Sequence, residues 1–232
     1  MNVKRVLRAI ALIMAGLLSS ACGNHVYHRV ERGDSLYSIG WRYDQDYRQV
    51  AAWNNLKSPY VLSPGQWLRV APPLSKSKAP EEPAAPVITT AVPAPSPTVT
   101  KLSPGITPQT WLWPARGELA RTFSTDEPGK KGVGIRGRLG QPVWSAAAGR
   151  VVYGGNGLAA YGNLLIIKHD DNYLTAYAHN HKLRVQEGDT VTAGQHIADM
   201  GKSGTEQVML HFEIRFQGKP VDPLRYLPPV PP

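Results

Sequence analysis

The sequence predicts a mostly β protein: two folded units joined by a proline-rich stretch. Three observations carry that expectation. Between residues 118 and 216, short apolar runs alternate with glycine turns, the spacing of an antiparallel β architecture, and no helical window is of comparable strength. Residues 27–71 read strand, helix, helix, strand, a small βααβ unit. Residues 72–110 hold ten of the 21 prolines, together with Ala, Thr, Ser and Lys. Such a segment buries too little apolar surface to fold and is expected to be a disordered, partly polyproline II linker. At about 3.1 Å per residue it reaches up to roughly 100 Å, so no tight interface between the two units is expected.

At the N-terminus, Lys4, Arg5 and Arg8 precede the apolar run Ala9 to Leu18, and Ser19-Ser20-Ala21-Cys22 follows. A run of that length covers only about half of a roughly 30 Å bilayer core, so residues 1–21 read as a secretory signal peptide rather than a membrane span. Cys22 is the sole cysteine and can form no internal disulfide. Its setting resembles a lipobox, with Ser19 where leucine is usual. The resemblance implies that Cys22 is the diacylated first residue of a lipoprotein. Gly23, where an aspartate would retain the protein inside, implies the outer membrane, facing the periplasm. Net charge is +9, from 26 basic and 17 acidic residues. Loss of Lys4, Arg5 and Arg8 with the leader leaves +6, which favours acidic partners. No arginine-aromatic pattern of a nucleic-acid module is present, so no nucleic-acid partner is expected.

Within 27–71, Tyr27 to Val30 alternate as a strand, Gly33-Asp34-Ser35 is a turn, and Leu36, Ile39, Gly40 and Tyr43 recur at helical spacing. Asp46 followed by Gln49 marks a second helix start, and Pro64-Gly65 is a turn before the closing strand Trp67 to Val70. Gly33-Asp34-x-Leu36-x-x-Ile39, Asn54-x-Leu56 and Leu62-x-Pro64-Gly65-Gln66-x-Leu68 resemble a LysM domain. The resemblance implies binding to peptidoglycan in a groove between the loops Gly33 to Leu36 and Ser58 to Val61. Gly33, Asp34, Ser35, Pro59 and Tyr60 are the expected contacts, with the Tyr60 ring stacking on a sugar, whereas Leu36 and Ile39 are expected in the core.

Residues 111–228 form the second unit. Strands are expected at Glu118 to Phe123, Pro142 to Ala146, Gly149 to Tyr153, Asn163 to His169, Tyr173 to His179, Gln195 to Met200 and Leu210 to Phe216. Period-two alternation from 209 to 216 puts Leu210, Phe212, Ile214 and Phe216 on a core face and Met209, His211, Glu213 and Arg215 on the other. The same count groups Tyr173, Thr175, Tyr177 and His179 on one face.

These residues resemble the LytM domain of the lysostaphin-type zinc endopeptidases, which cut peptide cross-links in bacterial cell wall. In that family a His-x-Gly-x-x-x-Asp or His-x-Gly-x-Asp motif and a His-x-His motif give two histidines and an aspartate to zinc, and a further histidine ends another strand. Aligning Gly132-Val133-Gly134-Ile135 with the first motif leaves Lys130 at the histidine position and Gly134 at the aspartate position. Met209 replaces the first histidine of the second motif; His211 remains, and His179 is the separate histidine. A catalytic zinc takes three protein ligands and a water. One ligand is left, and a lysine ammonium has no lone pair and repels a dication. The domain is therefore expected to be non-enzymatic, with no catalytic residue, metal or cofactor. A zinc rebuilt from His179, His211 and His169 or His181 is disfavoured, because nothing fixes them toward one point.

Within the resemblance, this degenerate state marks the murein hydrolase activators of the NlpD and EnvC type. Gly155-Asn156, Gly162 to His169, Ala176 to Asn180 and Asp222 to Pro228 look most like the NlpD branch. The implied partner is an N-acetylmuramoyl-L-alanine amidase, switched on when one of its helices docks in the former active-site groove. Apolar side chains flanked by cations suit such a helix. Lys131, Tyr177, His179, Met209, His211 and Arg215 are the expected groove residues. An active zinc endopeptidase and a passive tether between outer membrane and wall are the alternatives.

Overall fold

The structure, a computed structural model, describes residues 26–73, 111–127 and 129–229. The leader, Cys22 and the linker beyond Pro73 lie outside the described residues. Among the described residues no helix is long and apolar enough to cross a membrane.

The first unit pairs β1 (Tyr27–Arg29) with β2 (Trp67–Arg69) around two short helices, α1 (Leu36–Arg42) and α2 (Tyr47–Trp53). Ser35 caps α1 through a capping box with Ser38. Asp46 caps α2 through the Arg48 backbone amide, and the Arg48 guanidinium also grips its carboxylate, at 2.6 Å. Asn54 ends α2 and bonds both the N–H and the carbonyl of Arg69, tying the helix to β2. Leu36 and Ile39 are buried.

The second unit is one ten-stranded antiparallel sheet. It comprises β3 (Leu119–Arg121), β4 (Val133–Arg136), β5 (Pro142–Trp144), β6 (Gly149–Gly155), β7 (Asn163–Lys168), β8 (Tyr173–Leu183), β9 (Thr190–Val191), β10 (His196–Met200), β11 (Met209–Phe216) and β12 (Lys219–Val221). The main path runs β3-β4-β11-β8-β7-β6-β9; β12 flanks β11, and β10 joins β5 to β8. Three strands, β4, β9 and β12, go beyond the sequence expectation. Gly132 and Gly134 hide β4, because glycine has no strand preference; four residues of β11 pair with it and fix it in place.

The sheet is apolar on both faces. One face packs Leu165, Ile167, Tyr177, Leu210, Phe212 and Ile214 with Trp111 into a core. The opposite face presents Leu164, Ile166, Leu174, Ala176 and Ala178, which lie in one cluster with Leu36, Ile39, Trp41, Tyr47 and Val50 of the first unit. The expectation of loosely connected units is thereby corrected. An uncovered face of this size would cost roughly 25 cal/mol for each Å² of apolar surface left in water, and the βααβ unit is what covers it. Polar contacts frame the seam: Ser35 Oγ donates to the Val152 carbonyl at 3.2 Å, and Arg42 donates to the Gly157 carbonyl at 2.9 Å.

Candidate functional site

Beside that seam the sheet opens into a cleft of about 620 Å³, bordered by Arg121, Lys131, Tyr161, His179 and His211 on one side and by Trp41, Arg42 and Asp44 on the other. Strand register builds its floor. Arg121, Gly134, His211 and Ala178 are successive partners across β3, β4, β11 and β8. Gly134 has no side chain to stop Arg121 from lying across β4. The guanidinium comes within 3.5 Å of His211 Nδ1 and 3.9 Å of Met209 Sδ.

This arrangement decides whether a zinc fits. His211 Nε2 bonds Glu213 Oε1 at 2.9 Å, so its other ring nitrogen is the one available, and a permanent cation stands beside it. Gly134 offers no ligand, and Lys130 pairs with Glu127 at 2.6 Å. His169 lies away from the cleft, bonding Ala148 O and Thr175 Oγ1 at 2.8 Å each, and His181 is exposed. Among the described residues no group of three or more His, Cys, Asp or Glu side chains is placed to hold a metal. The residues present do not fit zinc.

Beneath the cleft runs a buried polar chain. Glu213, fully buried, accepts from Tyr161 Oη and His211 at 2.9 Å and from Arg215 at 3.2 Å. Burial pushes its carboxyl up, but Arg215, His211 and Tyr161 more than offset this and hold it below the ordinary carboxylate value. His179 packs 6.0 Å from His211, ring centre to ring centre, and its Nδ1 donates to the Ser203 carbonyl at 2.9 Å. Burial, with His211 and Arg121 nearby, lowers its pKa to about 4.

The expected groove residues separate into three groups. Met209, His179 and His211 sit together, as described. Tyr177 does not join them: it faces the core against Phe212, its hydroxyl accepting from the Ala146 amide at 2.9 Å. The period-two count fails at His179, whose φ of 66° lies in the left-handed region and turns its side chain to the opposite face from Tyr177. Arg215 is only 1 % exposed, lying beneath Trp41 with 3.7 Å from guanidinium to ring centre. Lys131 pairs with Asp44. Arg121 escaped sequence reading, since nothing on its own strand distinguishes it; the signal is the glycine opposite His211, which becomes visible once the register is known.

On the expected glycan loops, Gly33 and Pro59 are exposed. Asp34 is committed to the turn, bonding His28 at 2.7 Å and the Glu31 amide at 2.9 Å. Ser35 serves as a helix cap. Tyr60 is half-buried, edge-on to Tyr37 and Tyr47.

Comparison with known proteins places these features. Residues 128–223 match Peptidase family M23, and residues 28–71 match the LysM domain. The chain is 45% identical to the Lipoprotein NlpD/LppB homolog of Pseudomonas aeruginosa over 86% of this chain and 76% of that one. It is 39% identical to the Uncharacterized lipoprotein YgeR of Escherichia coli, over 97% and 94% of the two chains. To the Murein hydrolase activator NlpD of Escherichia coli it is 38% identical, over 87% and 67%.

Proposed function

The chain belongs to the NlpD/LppB lipoprotein family, and from that premise we propose that it is a non-enzymatic activator of N-acetylmuramoyl-L-alanine amidases. It acts from the outer membrane, facing the periplasm, with Cys22 as lipid anchor and the LysM domain on peptidoglycan. The observation that carries the reading is Arg121 filling the corner beside His211. An M23 domain that has exchanged its metal for a fixed arginine keeps the groove and gives up the chemistry. What remains is a concave surface of imidazole and guanidinium beside Lys131, with the Met209 thioether against the far side of Arg121, suited to an amphipathic helix with acidic edges. Docking of that helix in the groove draws a blocking segment off the amidase's own zinc.

Dye release from labelled cell-wall sacculi tests this. The mature chain and an amidase are added singly and together. Release that rises only with both present is the expected result. Release by the chain alone overturns the reading in favour of an endopeptidase, and no effect with any amidase of the same cell leaves the tether.

A further inference from the structure

At the groove, beside the apolar seam, the ionic contacts of the LysM unit converge on one side chain. Asp44, in the turn after α1, pairs through one carboxylate oxygen with Lys131 and through the other with Arg215 at 3.1 Å, and Lys219 Nζ donates to its carbonyl at 3.0 Å. Next to it Trp41 closes over the Arg215 guanidinium and offers its carbonyl to the same group at 3.3 Å. Lys131 and Arg215 are the two cations expected to meet an acidic partner, and here both are satisfied by a residue of the same chain. A guanidinium that is 1 % exposed cannot be reached from solvent while Trp41 stays in place.

We infer that the LysM domain is a lid on this groove, with Asp44 occupying the position a partner's carboxylate would take, so that seating of the lid and docking of the partner exclude one another. The inference rests on the activator reading for the partner's identity and on the contacts alone for the lid. The seat is also incompletely satisfied. Arg121 Nε, which borders the cleft, is a buried donor without a hydrogen-bond partner among the described residues. A closed state that leaves such a donor unpaired is one that a better-matched ligand can replace.

The test uses the mature chain. Asp44 has φ 53°, a left-handed conformation that asparagine tolerates, so Asp44→Asn removes the charge and keeps the turn. Backbone hydrogen exchange is followed over 41–46 and 213–221, alongside dye release with limiting activator. The expected result is that Asp44→Asn loses protection in both segments together and stimulates the amidase several-fold above wild type. Lys131→Met, which removes one of the two cations that Asp44 meets and leaves the Arg215 pair in place, loses less of it. Unchanged protection overturns the lid, as does lost protection with stimulation no higher than wild type. Absence of dye release with every variant overturns the activator reading, while the exchange data still decide the seat.

Discussion

Two ends of one groove, built from the same face of β11, have opposite fates. At the Met209 and His211 end His211 and Arg121 border the cleft, and Arg121 lies over Gly134 with one guanidinium nitrogen unpaired. At the Glu213 and Arg215 end every charge is met: Arg215 by Glu213, Asp44 and Trp41, and Glu213 by Tyr161 and His211. The difference teaches where each kind of pressure acts. The covered end is a structural ion pair, costly to break from either side. The open end holds no such carboxylate-bridged pair.

The largest effect expected from disturbing this contrast is at Glu213. Glu213→Leu removes the carboxylate that Arg215, His211 and Tyr161 share, leaving buried donors behind. Breaking a buried pair from one side costs about 3–5 kcal/mol. Urea unfolding of the mature chain should show a loss of that size, whereas Met209→Leu at the open end, a near-isosteric swap, should stay below about 1.5 kcal/mol. Equal losses at both sites would erase the distinction.

The next effect sharpens the metal argument. Restoring one ligand by Gly134→Asp brings a Cβ to 2.5 Å from Met209 Cε and 3.0 Å from Arg121 Cβ. The methionine tip can move, but the arginine Cβ is fixed to its strand, so the single change should destabilise by about 1–3 kcal/mol, the range for overpacking. Adding Met209→His should recover the part due to the methionine tip, while the contact with the residue-121 Cβ, which alanine would keep, should persist. Zinc titration by calorimetry should show no binding for wild type or the single variant; tight zinc binding by wild type would sink the account of the corner.

How much of this was legible beforehand depends on which contacts are local. The β11 alternation and the Asp46 cap follow from residues a few positions apart, and the sequence reading located them, whereas Ser35 was read as part of a turn and not as a cap. Arg121 was not legible, because its role is set by a row across three strands. Neither was the turn of His179, where one left-handed residue reverses the period. The covered face did have a signal. Leu164-Leu165-Ile166-Ile167 is a continuous apolar run, the mark of a strand buried on both sides, and its two halves enter different clusters. Reading the linker as a long spacer argued against an interface, although a long tether permits docking and only fails to require it.

The smallest expected effect is a pH dependence at the open end. His179 is held near pKa 4 from an ordinary 6.5, so it is neutral in the folded protein across the range where an unfolded chain takes up a proton. Its folded pKa is depressed, so its contribution is complete above pH 6.5 and is lost as pH falls from there toward 4. The groups facing it, His211 and Arg121, offer a protonated ring no anionic partner. Glu213 acts in the same direction at lower pH: its depressed carboxyl contributes above the ordinary carboxylate value, and that contribution is lost as the pH falls through its folded value. Thermal unfolding between pH 7 and 4 should therefore show the midpoint falling by a few degrees, with its first part removed in His179→Gln. Glutamine can still donate to Ser203 and does not titrate. If that variant keeps the full slope between pH 6.5 and 5, the protonation of His179 is not what weakens the open end in acid.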